Sequence, residues 1–122
     1  MPVTYDFDDN ILALRMVGEY QPSDIRTALV AAIESPDHLG ITGLLVDVRQ
    51  SESIARRTLG DLTAIVGFLV YHARAYGGRV ALLASTDIGY GMVRLADVDL
   101  VTGGVATRTF RELRDAMQWL KG

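Results

Sequence analysis

The chain has 122 residues with 12 basic and 15 acidic groups, a net charge of −3, no cysteine and 49% hydrophobic residues. A single domain of this length buries about two-thirds of its unfolded surface, so it needs no metal or disulfide to fold, and the lack of thiols excludes disulfide, zinc-thiolate, iron–sulfur and cysteine-nucleophile chemistry. Arginines spread along a mildly acidic chain exclude the basic footprint of a nucleic-acid binder, and with neither a signal-peptide pattern at the start nor an apolar run longer than residues 62–71, a cytoplasmic protein without an integral membrane segment is expected.

Residues 3–7 and 11–16 are apolar-rich stretches joined by Asp8-Asp9-Asn10, residues that favour turns and tolerate positive φ, and they predict an antiparallel hairpin. From Ser23, the residues Ile25, Ala28, Leu29, Ala32 and Ile33 recur at helical spacing until Pro36 ends the helix. Residues 43–48 form a near-continuous apolar run, as in a strand covered on both faces, followed by a polar loop at 49–53. A second helix is predicted over 54–76, closed by Gly77-Gly78. Leu59, Leu62, Val66, Leu69 and Ala73 form its core face, while Ala64, Phe68 and Tyr71 form a second apolar stripe with Gly67 between them. Residues 79–84 read as a buried strand. Ser85-Thr86-Asp87 offers an N-cap to a third helix whose apolar face is Ile88, Met92, Leu95 and Ala96. A short edge strand at 105–108 precedes a last helix, which opens on a Thr109-to-Glu112 capping box and buries Phe110, Leu113, Met117 and Leu120.

The resulting order, ββαβαβαβα, predicts a single α/β domain: a mixed, mainly parallel sheet of four or five strands flanked by helices. Ligand sites in such sheets gather at the C-terminal ends of the strands, here residues 47–53 and 85–90.

No catalytic set emerges at those ends. A serine–histidine pair needs contact at about 3 Å. His72 lies about 28 Å along a continuous helix from Ser53, and His38 is at the opposite edge of the sheet, roughly 20 Å from Ser51. Asp47 and Asp87 stand where aspartates commonly bond loops or cap helices. Gly89-Tyr90-Gly91 lacks the third glycine of a dinucleotide fingerprint and comes late in the chain. Neither a catalytic residue nor a metal or cofactor is therefore expected. Ser51 and Ser53, at the expected N-terminal end of the second helix with Arg49, Arg56 and Arg57 nearby, form a candidate anion site or phosphoserine position.

Tyr5-Asp6-Phe7-Asp8 with Asn10, the run 44–49 (LLVDVR) with Ser51, Tyr90-Gly91-x-x-Arg94, and Phe110-Arg111 with Ala116, Trp119 and Leu120 give nearly the whole chain a likeness. It resembles the bacterial SpoIIAA-like proteins, small stand-alone relatives of STAS domains. The resemblance implies a mixed sheet of four or five strands flanked by helices, related to the CRAL-TRIO lipid-transfer fold, and hence apolar ligand binding as one expectation. STAS anti-sigma-factor antagonists carry an aspartate-serine-serine-glycine loop before the corresponding helix, where this chain has Gln50-Ser51-Glu52-Ser53-Ile54.

Two readings of function use the same residues. In the first, Ala64, Phe68 and Tyr71, with Tyr90, Met92 and Arg94, make a homodimer or protein-partner contact in a non-enzymatic regulatory module. In the second, they line a site between the second and third helices for an apolar or amphipathic small molecule.

Overall fold

The computed structural model describes residues 2–36, 40–51 and 58–122. In chain order the elements are β1 (Val3–Asp8), β2 (Ile11–Gly18), α1 (Pro22–Glu34), β3 (Gly43–Ser51), α2 (Leu59–Tyr71), a 3-10 turn (Ala73–Tyr76), β4 (Arg79–Leu83), α3 (Asp87–Thr102), β5 (Ala106–Phe110) and α4 (Leu113–Lys121). The five strands form one sheet in the order β1-β2-β3-β4-β5. β1 and β2 are antiparallel, and β2/β3, β3/β4 and β4/β5 are parallel. The sheet is better described as mixed than as mainly parallel, because the antiparallel arm of the hairpin forms one of its edges.

Each element follows from local chemistry. Asp9 takes a left-handed φ of 53°, which lets Asp9 and Asn10 alone turn the hairpin, and the Asn10 carbonyl accepts from the Thr42 N–H at 2.8 Å, tying the turn to the start of β3. Pro22 opens α1, where a missing N–H costs nothing, and the Gln21 N–H donates to the Asp24 carboxylate at 2.8 Å. Thr58 caps α2 by accepting from the Asp61 N–H at 3.0 Å, and Thr86 caps α3 through the Gly89 N–H at 3.0 Å.

Because the strands advance in one direction across the sheet, right-handed crossovers place α1, α2 and α3 on the same face. The period of two along each strand then divides the core. Leu12, Leu14, Met16, Leu44, Val46, Val48, Val80 and Leu82 pack beneath those three helices. Ile11, Leu45, Ala81 and Leu83 point the other way and are covered by Ala116 and Leu120 of α4.

Five expectations need correction. β3 runs on to Ser51, because Gln50 and Ser51 pair with Val17 and Gly18 through a local register shift, so residues 49–51 are strand rather than loop. The second helix begins at Leu59 and breaks at His72, with the start expected at 54–57 lying outside the described residues. Thr109 and Phe110 belong to β5, where the Thr109 hydroxyl donates to Asp97 at 2.9 Å instead of capping α4. α3 buries Val93, Ala96 and Leu100 and leaves Ile88 and Leu95 exposed, because the helix is apolar on two sides and the sheet takes only one. In the last helix Leu113 is likewise exposed, and Ala116 takes its place in the core.

After α2 the chain coils tightly, so that Tyr76 is fully buried and its hydroxyl donates to the Leu69 carbonyl at 2.6 Å. Burial pushes the Tyr76 phenol well above its ordinary value. The unfolded phenol ionises near pH 10, so above that pH the folded state holds an extra proton and stability falls as pH rises, by up to about 1.4 kcal/mol per pH unit. Tyr76→Phe should cost about 1 kcal/mol at neutral pH and remove this alkaline loss. Urea unfolding at about pH 8 and about pH 11 checks it; an equal fall in both proteins would show that the phenol is not shielded.

Candidate functional site

Two helical faces and one polar cluster hold the residues with functional promise. The first face is the groove between α1 and α2. α2 sends Leu62, Ile65, Val66 and Leu69 into the core, and the residues half a turn away, Ala64, Phe68 and Tyr71, turn towards α1. With Arg26, Val30, Gly67 and His72 they line an open groove of about 520 Å³. Tyr71 is 84% exposed, and its ring meets that of His72 edge-on at 4.9 Å. The Arg26 guanidinium sits 5.8 Å from the Phe68 ring centre, within the range of a cation–π contact. A Cβ built on Gly67 would meet nothing within 4 Å, so among the described residues nothing abuts this glycine.

The six residues expected to share one surface do not. Ala64, Phe68 and Tyr71 line the groove, and Tyr90, Met92 and Arg94 do not. Tyr90 lies under the Arg111 guanidinium at 4.3 Å, and Arg111 also pairs with Asp87 at 2.9 Å. Met92 packs on the main core, while Arg94 is exposed and pairs with Asp97 at 3.8 Å. The seam between α2 and α3 is tight at its end: a Cβ on Gly103 would come within 2.7 Å of Val70.

The polar cluster sits on the α4 side of the sheet, towards the C-terminal ends of β2 and β3. Asp47 is buried within β3. Its Oδ1 accepts from the Arg49 backbone N–H and from Arg49 Nε, both at 3.0 Å, and its Oδ2 accepts from Arg49 Nη2 at 2.9 Å. Arg15, opposite Asp47 in the register, approaches Oδ2 at 3.8 Å. The hydrogen bond to Asp47 raises the Arg49 pKa above its ordinary value, against an opposing desolvation. With Gln50 these residues line a hollow of about 360 Å³. Both oxygens of Asp47 are engaged by Arg49, an arrangement that orients the guanidinium.

Of the expected anion site, Ser51 ends β3, seven positions before the α2 cap, and so is not in the first turn of that helix. Ser53, Arg56 and Arg57 lie outside the described residues, as does His38. Among the described residues, no group of three metal-ligating side chains converges and no helix is long and apolar enough to cross a membrane.

Sequence reasoning missed the second helical face, the outside of α3. Ile88, Leu95, Val98 and Val101 are all about half exposed or more. Their signal was present as a second apolar spacing on a helix whose core face was assigned to the wrong residues. Comparison with known proteins finds neither a matching family model nor a matching curated protein.

Proposed function

We propose that the protein is a non-enzymatic protein-interaction module of the SpoIIAA-like, STAS-related kind, and that its α1–α2 groove receives an amphipathic helix from a partner protein. The exposure of Tyr71 beside Phe68 and Val30, in a groove open to solvent, carries this reading. Aromatic side chains that are large, stiff and amphipathic are the usual anchors of protein interfaces, and Arg26 at the groove's wall favours an acidic residue on the incoming helix.

The alternative, an apolar small molecule held between the second and third helices, has less behind it. A narrow apolar hollow beneath the helices, lined by Met16, Tyr20, Ile25, Leu62, Leu82 and Val93 among others, measures about 30 Å³. That is space for about one water molecule, whereas small-molecule pockets generally span about 300–1,000 Å³. A groove open to solvent would leave much of a lipid's surface wet.

The test places a photo-crosslinking phenylalanine analogue at Tyr71 and at Arg114, an exposed control on α4, in cells of the source organism. A discrete protein adduct at position 71, absent at 114 and lost when Phe68→Asp is added, is the expected result. No adduct at 71, together with a small-molecule mass excess that a native mass spectrum of the purified protein shows and Phe68→Asp removes, would replace this reading with the carrier.

A further inference from the structure

We infer that the outer face of α3 is a homodimer interface, in which two copies of this chain place their α3 helices side by side and parallel about a two-fold axis. This surface is distinct from the α1–α2 groove, and its test does not depend on the function proposed for that groove.

The inference begins with the two apolar faces of one helix. Val93, Ala96 and Leu100 are spent on the domain's own core. On the opposite side, Ile88, Gly91, Leu95, Val98 and Thr102 succeed one another at steps of three and four, which is the a/d spacing of a two-stranded helical seam. Ile88 and Val98 are 64% and 63% exposed, and Leu95 is 48% exposed. A monomer gains nothing from holding three large aliphatic side chains in water along one line, and apolar positions at this spacing bury one another when the helix meets a copy of itself. Gly91 fits the same picture. A Cβ built on it would meet nothing within 4 Å, so among the described residues no neighbour requires glycine within this helix, where it costs about 1 kcal/mol relative to alanine. At a seam it lets the two backbones approach.

Charge selects both the occupant and the direction. Arg94 and Asp99 flank the apolar line on opposite sides, five residues apart, and both are exposed. In a parallel pair the residue before each a position faces the residue five further on in the partner, so Arg94 of each copy meets Asp99 of the other and the two-fold generates the pair twice. In an antiparallel pair each flank meets its own kind, and Arg94 is brought towards a second Arg94. The Arg94–Asp97 approach at 3.8 Å within one helix leaves the Arg94 guanidinium able to turn outward.

The chain contains no cysteine, so single-cysteine variants report register directly. Val98→Cys and Leu95→Cys, each at an exposed position, are made separately, with Arg114→Cys on α4 as the control for random collision. Expected under mild oxidation is a disulfide-linked species of doubled mass from Val98→Cys alone and from Leu95→Cys alone, and none from Arg114→Cys. Cross-linking only when the two variants are mixed would overturn the parallel arrangement in favour of an antiparallel one. A monomer mass in light scattering, with cross-linking no faster than the control, would overturn the interface altogether. A charge exchange tests the flanks: Arg94→Asp and Asp99→Arg should each weaken dimerisation about tenfold or more, and the double exchange should restore it. Failure of the double variant to recover, with folding shown intact by circular dichroism, would reject the ion pair and with it the register.

Discussion

Gly77→Ala is expected to cost about 2–5 kcal/mol, a large share of the 5–15 kcal/mol typical of a whole domain. Two effects add. Gly77 has φ +77°, a left-handed conformation that disfavours a side chain by about 1–2 kcal/mol. A Cβ there would also lie 2.7–2.8 Å from the carbonyl oxygen, carbonyl carbon and Cα of Thr42. Those atoms are backbone at the entrance to β3 and cannot rotate away, so overpacking adds about 1–3 kcal/mol. Gly78 separates the two effects. Its φ is +70°, yet its Cβ would meet nothing within 4 Å, so Gly78→Ala should show the conformational cost alone, about 1–2 kcal/mol. Chemical denaturation of the two variants beside the parent measures the difference. Equal losses would mean that Thr42 yields and that the close approach has no energetic weight.

Leu120→Ala is expected to detach α4 before it unfolds the domain. The side chain is buried against Ile11, Leu45, Ala81 and Leu83, and truncation of such a leucine costs about 2–5 kcal/mol. α4 has only nine residues, below the length of about 12–15 at which an isolated helix has even marginal stability in water, so its survival depends on docking. What remains is the smaller apolar contact of Ala116, Met117 and Trp119 and a few polar attachments: Arg79 Nη2 donates to the Trp119 carbonyl at 2.8 Å with its guanidinium 4.5 Å from the indole ring, and Lys121 reaches Asp9 at 3.2 Å. In Leu120→Ala, hydrogen exchange should show amides of 113–121 losing protection while those of β2, β3 and β4 keep theirs, with a rise in binding of an apolar dye. Uniform loss across the chain would show instead that α4 opens only with the whole structure.

The features legible in the sequence are those fixed by a single local cause. The Asp9-Asn10 turn, the core face of α1, the buried run that begins β3 and the Thr86 cap each depend on a few neighbouring residues, and each is found where its chemistry puts it. Features set by competition between distant residues were not legible. Thr109 is a sound helix cap in isolation, but strand pairing with β4 and the buried Asp97 carboxylate claim it. α3 carries two apolar spacings, and only the sheet beneath it decides that Val93, Ala96 and Leu100 go inward. For the candidate site, the stripe Ala64, Phe68 and Tyr71 was readable from helical periodicity, whereas its neighbours across the groove, Arg26 and Val30, come from a helix about 40 residues earlier and are brought there by the crossover. The pairing of Asp47 with Arg49 likewise depends on β3 continuing past Val48, because alternation along a strand puts both side chains on one face.

The uneven covering of the sheet bears on how the polypeptide emerges from the ribosome. α1, α2 and α3 each fall between the strands they help to cover, so that face can close progressively as synthesis proceeds. Leu45, Ala81 and Leu83, with Ile11 beside them, face the other side, and the helix that shields them is translated after all five strands. Throughout elongation a nascent sheet therefore presents an aliphatic strip with nothing yet made to lie on it. A nascent chain of this design has a built-in interval in which holding factors, or a neighbouring nascent copy, compete for the strip, and the interval closes only when residues 113–121 have left the exit tunnel.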